Sequence, residues 1–122
     1  MLIRYLLIIA FTSLVTLACK NESPGELLVG TWKLREIANT RNSMVRTATF
    51  SKTNTLLLKT TINGKITDTT NGSYELSADN EYLTTKIDTS TFKFEIIKLT
   101  KDLLDLRPFE RMNVAHYERY EN

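Results

Sequence analysis

The sequence predicts an all-β domain: a small antiparallel meander of about eight strands that closes into a barrel. After residue 22, apolar and polar residues alternate with period two, and turn-forming residues recur every 8 to 12 positions or so. The turns are short and no β–α–β spacing occurs, so each strand is expected to pair with the next one in the chain. Closure removes the two exposed edges of such a meander, and a two-sheet sandwich is the alternative.

Composition restricts the kinds of partner. The 122 residues include 16 basic and 14 acidic side chains, for a net charge of +2. Such a small charge produces no strong field for attracting nucleic acid, so a nucleic-acid partner is not expected. One cysteine cannot form an intramolecular disulfide, so the domain must be stabilised by its core, and we expect a monomer.

The first residues of the chain have the pattern expected of an export signal. Arg4 gives the short start of the chain one positive charge, and residues 6–17 form an apolar run of the length of a signal-peptide core. A stable membrane-spanning helix needs about 20 apolar residues, and this run is shorter. We therefore predict a signal peptide over residues 1–18, with an uncleaved membrane helix or an ordinary secretory signal as alternatives.

The end of this signal resembles the lipobox of bacterial lipoproteins, with Leu17 and Ala18 preceding Cys19. The resemblance implies cleavage after Ala18 and a covalent lipid on Cys19, which would anchor the protein to a membrane; no other cofactor is expected. Lys20 occupies the position at which an aspartate favours inner-membrane retention, so the outer membrane is the expected location. Residues 19–22 would form a short lipidated tether.

A short helix is predicted at the start of the domain, which spans residues 23–122. Ser23 stands at a capping position, Pro24 at the first helical position and Glu26 three residues after the serine, the pattern of a capping box. This predicts a one-turn helix through Leu28. Gly30 ends the helix, and a half-buried strand containing Trp32 follows.

Seven further strands are predicted, over residues 44–50, 55–62, 65–76, 81–87, 91–99, 103–107 and 114–120. Asn63-Gly64 is a strong hairpin signal, because both residues tolerate positive φ. A second Asn-Gly pair, Asn71-Gly72, leaves residues 65–76 as either one bulged strand or two short ones. Pro108 should stop the strand over residues 103–107, since proline cannot donate to a ladder.

Gly30-Thr31-Trp32 looks like the Gly-x-Trp strand that opens lipocalins and the related fatty-acid-binding proteins. Together with the lipobox, the Gly72-Ser73-Tyr74 strand and residues 97–106, it makes the chain similar to small lipocalin-like lipoproteins of Bacteroidetes. The resemblance implies that Trp32 lies at the closed end of the barrel and that an arginine of the last strand packs across its ring. Arg119 is the best-placed arginine, with Arg111 as the alternative.

The resemblance also implies a function: binding of a small hydrophobic or amphipathic ligand inside the barrel. The candidate lining consists of inward-facing and aromatic residues, namely Phe50, Leu58, Tyr74, Tyr82, Phe92 and Phe94. The alternative is a filled barrel that binds another envelope protein through exposed apolar residues such as Leu57, Ile87 and Phe109. An eight-stranded barrel holds either its own side chains or one small ligand, so size alone leaves both readings open.

We expect neither catalysis nor a metal site. His116 is the only histidine and has no second histidine or cysteine at a metal-binding spacing. A serine–histidine–aspartate set could be assembled only from His116, Asp105 and an unspecified serine, and no nucleophile motif accompanies them. A structural role for His116 is the expectation.

Overall fold

The computed structural model describes residues 23–35 and 43–120, and within these ranges the protein is an eight-stranded antiparallel barrel with one short helix. The elements are α1 (Pro24–Leu28), β1 (Gly30–Leu34), β2 (Met44–Phe50), β3 (Thr55–Ile62), β4 (Lys65–Leu76), β5 (Tyr82–Ile87), β6 (Ser90–Leu99), β7 (Leu103–Pro108) and β8 (Ala115–Arg119). The predicted signal peptide and Cys19 lie outside the described residues.

Each strand pairs with its neighbour in sequence, and β1 pairs with β8 to close the barrel. The predicted barrel is therefore confirmed and the sandwich alternative is wrong. Closure is favoured because it leaves neither β1 nor β8 as an exposed edge. The strand limits follow the turn signals closely, and β7 ends at Pro108 as expected.

Residues 65–76, which contain the second Asn-Gly pair, form one bulged strand, β4, and not two short strands. Its pairing with β3 shifts register between Thr60 and Thr61, so that Thr67 is the extra residue. Gly72 lies inside the strand where β5 comes close. A Cβ at Gly72 would lie 2.5 Å from the carbonyl oxygen of Lys86, so this contact admits only glycine.

The meander gives the barrel two different ends. The closed end is formed by α1 and the turns at residues 51–54, 77–81 and 100–102, whereas the open end is formed by the turns at 63–64 and 88–89 and by the loop at 109–114. Among the described residues, the buried core consists of Leu28, Trp32, Ala48, Phe50, Leu56, Tyr74, Leu83, Leu104 and Leu106.

Trp32 and Arg119 fasten α1 across the closed end. The Trp32 indole is fully buried and its Nε1 donates to the carbonyl oxygen of Leu28 at 2.9 Å. The Arg119 guanidinium lies 4.0 Å from the centroid of the same ring. Its two terminal nitrogens donate to the carbonyl oxygens of Leu27 and Val29, at 2.7 and 2.8 Å.

These three hydrogen bonds provide partners for carbonyl groups at the end of α1, since the last carbonyl groups of a helix have no partner within it. A helix of one turn is also unstable alone, so tertiary contacts must hold it in place. Trp32 and Arg119 donate the hydrogen bonds that these carbonyl groups need, and they also provide the tertiary contacts that hold the helix. We call Trp32, Arg119 and the carbonyl groups of residues 27–29 the clasp.

Gly30 is required by the clasp. It has φ of 133°, a conformation that side chains disfavour, and a Cβ there would clash with a terminal nitrogen of Arg119. The glycine of the Gly-x-Trp pattern is therefore needed because the guanidinium occupies the space beside it.

Replacing Trp32 with alanine is expected to lower the free energy of unfolding by about 3 to 5 kcal/mol, since it empties a fully buried site. Urea denaturation followed by circular dichroism measures this. Trp32→Phe keeps a ring beneath Arg119 but loses the bond to Leu28, and should cost less, about 1 to 3 kcal/mol. An unchanged unfolding midpoint for Trp32→Ala would contradict the buried position of the indole.

Gly30→Ala is expected to destabilise the barrel by about 1 to 3 kcal/mol, because alanine must adopt a strained backbone and displace Arg119. Gly25→Ala is the matched control, since a Cβ at Gly25 meets no atom within 4 Å. That variant should keep or slightly raise the melting temperature, as alanine favours a helix. Equal melting temperatures for the two variants would show that Gly30 is not constrained by Arg119.

Candidate functional site

The barrel interior contains an apolar cavity of about 260 Å³. Its lining comes from six strands, β2, β3, β5, β6, β7 and β8, and consists of Ala48, Phe50, Leu56, Leu58, Leu83, Thr85, Ile87, Phe92, Phe94, Leu104, Leu106 and Tyr117. Almost all of these side chains are hydrocarbon. The cavity therefore suits the apolar part of a ligand rather than a charged group.

A second chamber of about 260 Å³ adjoins this cavity and is more polar. The two share the lining residues Ala48, Leu58 and Tyr117. The second chamber, unlike the first, is lined by the polar residues Arg46, Thr60, Asp68 and Thr70. A ligand with an apolar part and a polar part would match the pair of chambers.

The pairing register explains why polarity changes along the interior. Side chains on one face of neighbouring strands form rows. From the closed end toward the open end, the rows across β2, β3 and β4 are Phe50–Leu56–Gly72, Ala48–Leu58–Thr70 and Arg46–Thr60–Asp68. The interior thus passes from hydrocarbon to hydroxyl to charged groups within three rows.

Tyr117 stands between the two chambers. Burial raises the pKa of its hydroxyl above the ordinary value, and the positive charge of Arg46 opposes part of that rise. The phenol is consequently neutral at physiological pH. A neutral phenol can donate or accept a hydrogen bond at the point where an amphipathic ligand would change from apolar to polar.

Four of the six predicted lining residues meet around the apolar cavity: Phe50, Leu58, Phe92 and Phe94. Tyr74 is buried at the closed end instead, where its ring packs edge-on against Phe50 with centroids 5.0 Å apart. Its hydroxyl donates to the carbonyl oxygen of Ser51. Tyr74 therefore belongs to the packed floor beneath the cavity rather than to the cavity wall.

The prediction that Tyr82 lines the pocket is wrong. Leu83, Thr85 and Ile87 occupy the inner face of β5, so Tyr82 points outward by the alternation of the strand. Its ring packs edge-on against Phe109, with centroids 5.4 Å apart. Lys93 Nζ lies about 5 Å from both rings, at 5.1 and 5.0 Å from their centroids.

The lining residues that sequence reasoning missed are mainly aliphatic: Ala48, Leu56, Leu83, Thr85, Ile87, Leu104, Leu106 and Tyr117. Strict alternation identifies most of them, since Leu104 and Leu106 share a face of β7, and Leu83 and Ile87 share a face of β5. Selecting aromatic residues overlooked this signal. Tyr117 could have been found from its spacing of two residues from Arg119.

The apolar patch expected for a protein-binding surface does not form from the predicted residues. Ile87 lines the interior, Leu57 is half-buried on the outer face of β3, and Phe109 packs on Tyr82 of β5. A different outer groove of about 630 Å³ exists beside the loop that follows β7. Phe109 and Met112 contribute to it and are 56% and 94% exposed.

His116 lies on the outer face of β8, where its Nδ1 is 2.8 Å from a carboxylate oxygen of Asp105 on β7. This is a cross-strand pair, and no serine completes a catalytic set with it among the hydrogen bonds of the described residues. Within residues 23–35 and 43–120, no group of three or more metal-ligating side chains comes together.

No helix in the described part of the chain combines the length and apolar character needed to cross a membrane. Comparisons of the chain with protein-family models, with curated proteins and with solved structures gave no match. The likeness to lipocalins accordingly concerns the form of the barrel: eight antiparallel strands, closed, with a short helix before the first strand.

Proposed function

We propose that the protein is a lipid-anchored lipocalin-like lipoprotein of the bacterial envelope, and that its barrel binds a small hydrophobic or amphipathic molecule. The observation that carries this proposal is the apolar interior cavity of about 260 Å³. Side chains of the barrel fill the closed end and leave this space above them. A barrel that served only as a scaffold would gain stability by filling it.

The size of the cavity indicates the size of the ligand. An apolar cavity of about 150 Å³ is enough to bind benzene, so the larger apolar space here suits a short alkyl chain or a small ring system. The adjoining chamber adds polar partners from Arg46, Asp68 and Thr70. A single-chain or compact amphiphile fits this combination better than a large lipid with several chains.

The proposed anchor is supported by the sequence alone. Leu17-Ala18-Cys19 follows an apolar run, and the cysteine has no disulfide partner in the chain. A diacylglyceryl group brings two acyl chains, which is the number needed for stable membrane attachment. Lys20 follows the cysteine where an aspartate would favour the inner membrane, so attachment to the outer membrane is favoured.

A second candidate function is binding of an envelope protein through the outer groove. The 94% exposure of Met112 beside Phe109 favours it, because large apolar side chains seldom lie side by side on a surface without a use. Capture of a specific envelope protein by cross-linking at Met112, with no ligand retained in the barrel, would favour this function over the first.

Filling the cavity should abolish ligand binding. Ala48 is buried and lines both chambers, so Ala48→Phe places a ring where the ligand would lie. The expected result is at least about a tenfold loss of affinity for the apolar dye N-phenyl-1-naphthylamine, equivalent to about 1.4 kcal/mol. Dye fluorescence in a titration measures it, and native mass spectrometry reports any ligand retained through purification.

Leu57→Phe is the control for this experiment, because Leu57 lies on the outer face of β3 and borders neither chamber. Its affinity for the dye should match that of the wild-type protein. Equal dye binding by wild type and Ala48→Phe, with both folded by circular dichroism, would rule out the interior as the binding site.

Cys19→Ser should remove the lipid and the membrane attachment. Wild-type protein is expected to enter the detergent phase of a Triton X-114 extraction and to carry the mass of a diacylglyceryl group on Cys19. The serine variant should lack that mass and stay in the aqueous phase or retain its leader. Thr16→Leu is the control, since it keeps the cysteine and should be lipidated like wild type; an unmodified wild-type mass would refute the anchor.

A further inference from the structure

We infer that the closed end of the barrel faces the lipid headgroups of the anchoring membrane, and that the mouth of the ligand cavity opens away from that membrane. The inference rests on the proposed lipid at Cys19. It concerns where the ligand enters, which the presence of a cavity alone does not decide.

The first observation is that the chain enters the domain at a fixed point of the closed end. Ser23 caps α1: its hydroxyl accepts from the backbone nitrogen of Glu26 at 3.4 Å, and its carbonyl oxygen accepts from that of Leu27 at 2.9 Å. Arg119 then holds the other end of α1 through Leu27 and Val29. The residue that follows the tether is therefore attached to the barrel and cannot swing toward the mouth.

The second observation is the length of the tether. From Cys19 to Ser23 the chain advances four residues, and at no more than about 3.6 Å each it spans about 14 Å when fully extended. Strand β4 contains 12 residues. With a strand tilt of about 40° it extends roughly 25 Å along the barrel axis.

These two lengths exclude the inverted orientation. If the mouth lay against the headgroups, the β3–β4 hairpin would reach them first, because β4 is the longest strand. The closed end, which holds Ser23, would then be about 25 Å above them, beyond the roughly 14 Å that the tether can reach. The closed end must stay within that reach. The lipid anchor and the mouth are consequently placed at opposite ends of the molecule.

The third observation is the chemistry of the closed end. Its turns are polar, with Lys52, Asp79 and Lys101 among their residues, and no large apolar side chain that is exposed in the described residues belongs to them. Ile97, which is 46% exposed, lies on β6 before the turn at 100–102 and not in it. The turns of the closed end therefore suit contact with hydrated headgroups.

This arrangement determines the route of the ligand. A mouth turned away from the bilayer cannot draw a molecule directly from the leaflet that holds the anchor. The barrel would exchange its ligand with the aqueous compartment, taking up an amphiphile that is dissolved there or carried by a soluble protein.

The test uses two single-cysteine variants of the lipidated full-length protein. Ala78→Cys lies in a closed-end turn and Thr89→Cys in an open-end turn, and both positions are exposed and have ordinary backbone conformations. Each variant is labelled with a bimane fluorophore and reconstituted into phosphatidylcholine vesicles that carry nitroxide on their headgroups. The Cys19 thiol is occupied by its lipid and does not react.

The two turns lie at opposite ends of β5, which has six residues and extends roughly 15 Å along the axis. Quenching at Ala78 is therefore expected to exceed quenching at Thr89 by at least about twofold. Insertion of 20 glycine and serine residues after Glu22 should reduce this ratio, since a flexible tether of that length spans about 25 Å on average. Equal or stronger quenching at Thr89 in vesicles that carry the protein would overturn the orientation while leaving the anchor intact. Failure of the protein to float with vesicles would instead overturn the anchor, and the orientation with it.

Discussion

The clasp between Arg119 and Trp32 is the interaction on which the rest of the structure depends. Trp32 and Arg119 are directly paired in the register of β1 and β8, the two strands that close the barrel. Their side chains then donate to the carbonyl groups of residues 27–29, at the C-terminal end of α1. One cation–ring contact, between a buried indole and a half-buried guanidinium, therefore joins the ends of the meander, caps the short helix and seals one end of the barrel. Gly30 is part of the same arrangement, because the guanidinium needs the space beside it.

Sealing one end determines what the other end can do. Tyr74 and Phe50 pack above Trp32 to form a floor, and the space beyond them stays open. Along β2, β3 and β4 the inward-facing rows change from hydrocarbon to charged groups toward the mouth, as in the row that contains Arg46 and Asp68. The barrel thus combines an apolar interior with a polar entrance, an arrangement that orients an amphiphile with its polar group outward.

Much of the candidate site followed from strand alternation. Phe92 and Phe94 were expected on one face of β6, and both line the cavity. Tyr82 was placed wrongly because it begins a strand, where the alternation depends on which residue is counted first, and its aromatic character favoured an inward position. The residues after Tyr82 determine which side of β5 faces inward: Leu83 and Ile87 are its apolar residues, and they lie on the inner face. Tyr74 was correctly expected inside, but only packing shows that it fills space rather than bordering it.

The sequence by itself determined the strand order, the turns and the buried tryptophan, because these depend on local periodicity and on the conformations that Asn63 and Gly64 permit. It also identified Arg119 as the partner of Trp32 by resemblance. Only the tertiary structure decided that β4 is a single bulged strand, that the interior is open, and that Tyr82 meets Phe109 and Lys93 outside. The physical reason is that a cavity and a strand register exist only once folding has brought separate strands together. They depend on how twelve side chains from separate strands share one volume, which no stretch of sequence contains.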